Sequence, residues 1–211
     1  LEISFVIVKK THVMLAAGFL LTTLVSCEQK AAETTGMLYN IDSLLSVQAQ
    51  YLVQSNASLQ KVSVLGNDEK KAVVKPKDSL AWENELNIFR EVESVNKPLN
   101  QRYYTIERFS DPRSNLLVKA FTEKKDPNTQ FSPPVKYLRI YYHGTMANVR
   151  KIEAGYEEEN ALYKSNHLLT LQFQEVYNKT VLTSYFIGGG QKMFLGDSVA
   201  YTIQASVTIP H

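Results

Sequence analysis

His143 and His167, with the carboxylates Glu153 and Glu157-Glu158-Glu159, are the residues of this chain whose types suit metal binding or acid–base catalysis. Two imidazoles and a carboxylate can hold zinc, and one imidazole can serve a nucleophile as base. The spacing supports neither, because no His-Glu-x-x-His, no Gly-x-Ser-x-Gly and no Ser-x-x-Lys followed by its partner motifs occurs. Each histidine sits at the end of a strand-like run and reads as a surface or hydrogen-bonded residue. The adjacent glutamates offer oxygens to calcium, but the glycine-hinged spacing of an EF-hand loop is missing, so the run reads as a solvated hairpin tip. Gly188-Gly189-Gly190 suggests a phosphate cradle, which needs a strand before it and a helix after it. Here Lys192-Met193-Phe194-Leu195 follows in strand-like texture, and the triplet reads as a flexible hairpin loop. No catalytic residue, metal site or cofactor is expected, and the chain reads as non-enzymatic.

One residue carries a definite chemical expectation. Cys27 is the sole cysteine and closes the run Leu24-Val25-Ser26-Cys27. Ahead of it lie Lys9 and Lys10 and then an apolar stretch over residues 13–25, the parts of a secretion signal. That stretch is shorter than the roughly 20 apolar residues of a membrane-spanning helix. A start at Val8 would explain why residues 1–7, largely apolar, precede the lysines. The run resembles the lipobox of bacterial lipoproteins, in which the cysteine is lipidated and becomes the first residue of the mature protein. The resemblance implies a signal peptide over residues 1–26 and a membrane anchor at Cys27. Residues 27–36 are polar and small, and read as a tether.

The runs Asp78-Ser79-Leu80-Ala81-Trp82-Glu83-Asn84-Glu85-Leu86, Asn96-Lys97-Pro98 and Lys136-Tyr137-Leu138-Arg139-Ile140-Tyr141-Tyr142 look like those of uncharacterised envelope lipoproteins of the Bacteroidota. The resemblance extends over residues 78–209 and carries no catalytic residues. Surface export in that phylum is associated with acidic residues close behind the cysteine. Only Glu28 stands there and Lys30 follows, so the expected location is the outer membrane, facing the periplasm.

Composition narrows the partners. The 23 basic and 21 acidic residues give a net charge of +2, which leaves no electrostatic footprint for nucleic acid. With its thiol committed to lipid, the chain can form no internal disulfide and no cysteine-rich metal site.

The elements that must position any site fall into two textures within one domain over residues 37–211. Over 37–95 the apolar spacing is helical: Leu38, Ile41, Leu45, Leu52 and Leu59 recur at intervals of three, four and seven, with Gln48 and Ser55 in the missing turns. Asp78 or Ser79 can cap a second helix bearing Trp82, Leu86 and Phe89, which ends by Asn96-Lys97-Pro98. Over 99–211 the period is two. Strand-like runs span 101–109, 115–123, 135–143, 148–156, 166–177, 180–187, 192–195 and 199–209, separated by breakers too short for parallel crossovers. The expected fold is therefore α+β: N-terminal amphipathic helices packed on a curved antiparallel meander of about seven or eight strands.

Aromatic residues are in excess, with 12 tyrosines and 9 phenylalanines. Tyr103, Tyr137, Tyr141 and Tyr142 gather on the middle strands, where tyrosine suits both a pleated sheet and an amphipathic binding surface. These four, with Gly189 at a loop over a cavity mouth, are the candidate binding residues. The leading expectation is a membrane-anchored envelope protein that binds a partner protein or supports an envelope assembly. The alternative is a carrier of a lipid, acyl chain or other hydrophobic ligand, since a bent sheet plugged by a helix resembles periplasmic carriers of this kind.

Overall fold

A computed structural model describes residues 39–125 and 131–210. The leader, Cys27, the tether, the breaker Asp126-Pro127-Asn128 and His211 lie outside the described residues.

The first described element is helix α1, Ile41–Gln54. Asn40 caps it: the side chain accepts from the Ser43 N–H at 2.7 Å, satisfying one donor that a helix start leaves orphaned. Ile41, Leu45, Ala49 and Leu52 form its buried face. Gln48 lies on that face as well, 2 % exposed. Its amide donates to the Thr180 carbonyl at 2.9 Å and its oxygen accepts from the Leu182 N–H at 2.7 Å, so both ends of a buried amide are hydrogen-bonded and tie α1 to the sheet. Asn56 then adopts φ 54°, a left-handed conformation that asparagine tolerates better than most residues, and the chain turns.

Two strands follow where a continued helical region is expected: β1, Ser58–Leu65, and β2, Asp68–Val74. This corrects the helical reading of residues 37–95. Leu59 fits the stripe because both α1 and β1 bury their apolar residues in the same core, so a seven-residue step from Leu52 bridges two different elements. The two-residue turn Gly66-Asn67 uses φ 59° at Gly66, which a glycine reaches at no steric cost. Helix α2, Ser79–Glu85, is capped by Asp78, which accepts from the Ala81 N–H at 2.8 Å. A 3₁₀ helix, Asn87–Asn96, and one helical turn, Pro98–Gln101, complete the helical part.

The remaining strands are β3 Tyr104–Ser110, β4 Leu117–Glu123, β5 Val135–Tyr142, β6 Val149–Glu159, β7 Tyr163–Val176, β8 Lys179–Met193 and β9 Ser198–Thr208. All nine strands form one antiparallel sheet in the order β2-β1-β9-β8-β7-β6-β5-β4-β3. From β3 to β9 it is a meander, as expected. The added hairpin docks on the last strand, with Leu59 opposite Val207. Nine strands replace the expected seven or eight because the β1–β2 hairpin joins the sheet, while runs 180–187 and 192–195 are parts of one strand. Gly188-Gly189-Gly190 lies inside β8, hydrogen-bonded to β7 and β9 on either side. A flexible loop is therefore replaced by a doubly paired strand, and Glu157-Glu158-Glu159 likewise belongs to β6.

Strand alternation divides the sheet into two faces. The inner face carries Leu59, Ala205, Tyr185, Leu171, Ile152, Ile140 and Phe121, all buried against Trp82, Leu86, Phe89 and the apolar stripe of α1. Phe89 meets Tyr185 edge to face, with centroids 5.6 Å apart. The Tyr185 hydroxyl donates to the Glu85 carboxylate, which also pairs with Lys61 at 2.6 Å.

Candidate functional site

Among the described residues no helix covers the outer face. Cross-strand register places Val64, Thr202, Gly188, Leu168, Gly155 and Tyr137 in one row across β1, β9, β8, β7, β6 and β5. The next row holds Ala200, Gly190 and Asn166. Where both rows cross β8 and β9, small residues form a floor and Val64, Leu168 and Phe186 form walls, leaving an open groove of about 490 Å³. The lining is mainly apolar, with Asn166 as a polar end whose side-chain oxygen accepts from the Gly190 N–H at 2.8 Å.

The glycines of this strand leave space that neighbouring groups occupy. A Cβ on Gly188 would lie 2.8 Å from the Phe186 ring, which therefore rests over the missing side chain. On Gly189, whose side-chain position faces inward, a Cβ would lie 2.6 Å from the Asn166 carbonyl oxygen and 2.9 Å from the Tyr201 hydroxyl. Tyr137 covers Gly155 in the same manner, its ring 2.5 Å from where a Cβ would stand. Aromatic rings thus fill gaps that the glycines leave in the sheet surface.

Further along the outer face, Tyr137 and Tyr141 flank Arg139 on β5. The Arg139 guanidinium lies 5.0 Å from the Tyr137 ring centroid and the Lys151 ammonium 4.0 Å from that of Tyr141. The Tyr141 hydroxyl donates to Glu153 at 2.8 Å, and Lys151 pairs with Glu153 at 2.9 Å. Burial, reinforced by the hydrogen bond to Glu153 and its charge, pushes the Tyr141 phenol up to about 12. These groups form a mutually satisfied polar surface.

The inner face beyond the helices holds a second polar group. The Tyr201 hydroxyl and His167 Nδ1 are 2.6 Å apart, and the Tyr156 ring lies 5.7 Å from that of His167. Burial holds His167 below its ordinary value, with Glu158 opposing. Burial also raises Glu91 and Tyr201, with Glu158 acting on the first and Glu91 on the second. Every shift in this group favours the neutral form. Among the described residues no three histidine, cysteine or acidic groups converge as metal ligands.

The five candidate binding residues do not come together. Tyr137 and Tyr141 share the outer face. Tyr142 lies on the inner face, 6 % exposed and part of the core, because adjacent strand residues point to opposite faces even where a bulge interrupts register between Tyr141 and Tyr142. Tyr103 precedes β3 and packs on Phe131 with centroids 4.7 Å apart. Gly189 sits in β8 between His167 and Tyr201. His143 is exposed in the β5–β6 turn. The groove residues Leu168, Phe186 and Thr202 were not singled out by sequence, and Gly188 and Gly190 only within a triplet read as a hairpin loop; the available signal was that triplet's strand-forming flanks on both sides. No helix among the described residues is long and apolar enough to cross a membrane. The chain matches no protein family, no curated protein and no solved structure.

Proposed function

We propose that this chain is a non-enzymatic envelope lipoprotein, anchored through Cys27, whose outer sheet face binds a partner protein. The observation that carries this reading is the open apolar groove of about 490 Å³ over the glycine-floored part of β8 and β9. A groove with a backbone floor accepts a branched or aromatic side chain from a neighbouring polypeptide while its main chain lies across the pleat. Asn166 supplies the polar end that fixes such a segment's direction.

The carrier alternative calls for a void between helices and sheet. That space is filled by Leu45, Leu52, Trp82, Leu171 and Tyr185, each no more than 2 % exposed, and the filling weighs against an enclosed acyl chain.

A photo-reactive phenylalanine analogue at the exposed Thr202 is expected to yield one recurrent protein adduct in cells. Ala200→Trp fills the groove from an exposed strand position, is expected to change stability by no more than about 0.5 kcal/mol, and should abolish that adduct. The reading fails if no adduct forms, or if the adduct persists in a folded Ala200→Trp chain.

A further inference from the structure

Two neighbouring hairpin tips hold the most exposed apolar side chains at one end of the sheet. Leu162, between β6 and β7, is 70 % exposed; Phe194 and Leu195, between β8 and β9, are 80 % and 93 % exposed. These are ordered turns. The Asn160 side chain accepts from the N–H groups of Leu162 and Tyr163 at 2.8 and 3.0 Å. The Phe194 N–H donates to the Leu162 carbonyl at 2.9 Å, so the two tips are bound into one edge. Met193, 47 % exposed, continues the patch.

The start of the described domain lies toward the same end. The Ile41 N–H donates to Glu93 at 3.0 Å and the Asn96 amide to the Tyr39 carbonyl at 2.8 Å, which seats the start of α1 on the 3₁₀ helix. Glu91 of that helix is within electrostatic reach of Glu158 and Tyr201, both on the tip side of their strands. Gln48, midway along α1, is held at Thr180 and Leu182, and Tyr51 toward the helix's other end has the Lys179 ammonium 5.8 Å from its ring centroid, beside the β7–β8 turn at the opposite end of the sheet. The described domain therefore begins toward its apolar tips. Residues 28–39 can span at most about 40 Å, which keeps those tips within reach of the anchoring bilayer.

We infer that the β6–β7 and β8–β9 tips are a lipid-contacting edge, with Leu162, Phe194 and Leu195 entering the headgroup and acyl boundary of the membrane. The orientation rests on the anchor proposed above; the patch itself does not. The side chains of the tips stand out into solvent, and a protruding apolar edge suits a fluid surface that closes around it, whereas a protein partner must supply a matching hollow. At its base lie Lys192, the Lys164–Glu159 pair at 3.0 Å and Tyr163, groups that belong at the level of lipid headgroups.

The test uses the full chain in vesicles of phosphatidylethanolamine and phosphatidylglycerol containing brominated lipid. Leu195→Trp places a reporter at the tip, and Tyr177→Trp places one at the opposite end, where Tyr177 is 95 % exposed. Buried Trp82 is a constant background in both. Leu195→Trp is expected to shift to the blue and to be quenched most by bromines about 5–10 Å below the headgroups, and Tyr177→Trp to behave as in water. Equal, water-like emission from both reporters overturns the inference. Flotation of the wild-type chain and of Cys27→Ser reports separately on the anchor. If the wild-type chain does not float, the anchor reading fails, and the same quenching in excess vesicles still decides the tips.

Discussion

The two faces of β7, β8 and β9 are built from alternate residues of the same strands and solve opposite problems. Inward, Leu171, Tyr185 and Ala205 stand side by side, none more than 2 % exposed, and interlock with the helices. Outward, Leu168, Gly188 and Thr202 stand side by side and leave a groove. The difference teaches that the period of two lets one strand act as core on one side and as recognition surface on the other, with little exchange between them. Substitutions on the two faces should therefore differ sharply in cost.

The largest expected effect is inward. Leu171→Ala should lower the unfolding free energy by about 2–5 kcal/mol, because a buried cavity adds to the lost transfer energy; a denaturant titration measures it. A loss below about 1 kcal/mol would mean that this face is not close-packed. A finer comparison uses neighbouring glycines. Gly189→Ala sets a methyl against the Asn166 backbone carbonyl, which cannot yield without moving the strand, whereas Gly188→Ala meets only the Phe186 ring, which can swing toward solvent. Gly189→Ala should cost about 1–3 kcal/mol and Gly188→Ala clearly less. Equal costs would break the distinction between the faces at this point.

The smallest expected effect is a pH dependence at the inner polar group. His167 binds its proton less readily in the folded chain than at its ordinary value of 6.5. Its contribution is complete above that value and is lost as pH falls through the lowered folded value, so acidification below about 6.5 should destabilise the protein. Glu91 has the opposite sign: its raised folded value favours the folded state at acid pH, and that benefit is lost as pH rises through the raised value. Subtracting the melting profile of His167→Gln from that of wild type isolates the histidine. Parallel profiles between pH 5 and 7 would show that His167 remains solvated and titrates as in the unfolded chain.

The meander, the helical spacing of α1 and the cap of α2 were legible in the sequence, because each depends on neighbours within one segment: Asp78 as a cap, the apolar spacing of Ile41 to Leu52, the alternation of residues 199–209. The β1–β2 hairpin was hidden because Leu59 continued the spacing of α1 across a turn. The glycine triplet was misjudged for a similar reason. Three glycines in isolation favour a loop, and only paired strands on both sides turn them into a floor. The outer tyrosines were visible as an excess, yet Tyr141 and Tyr142 part company because their faces are set by register.

By itself the sequence determined the class of this protein's fold, its near-neutral charge, its single thiol and the absence of local catalytic signatures, all properties of composition and short-range pattern. Tertiary structure alone decided that Gly188, Leu168 and Thr202 share a surface, that His167 meets Tyr201, and that Leu162 joins Phe194 and Leu195 at one edge. Those contacts are made across strands, where hydrogen-bond register sets which residues become neighbours.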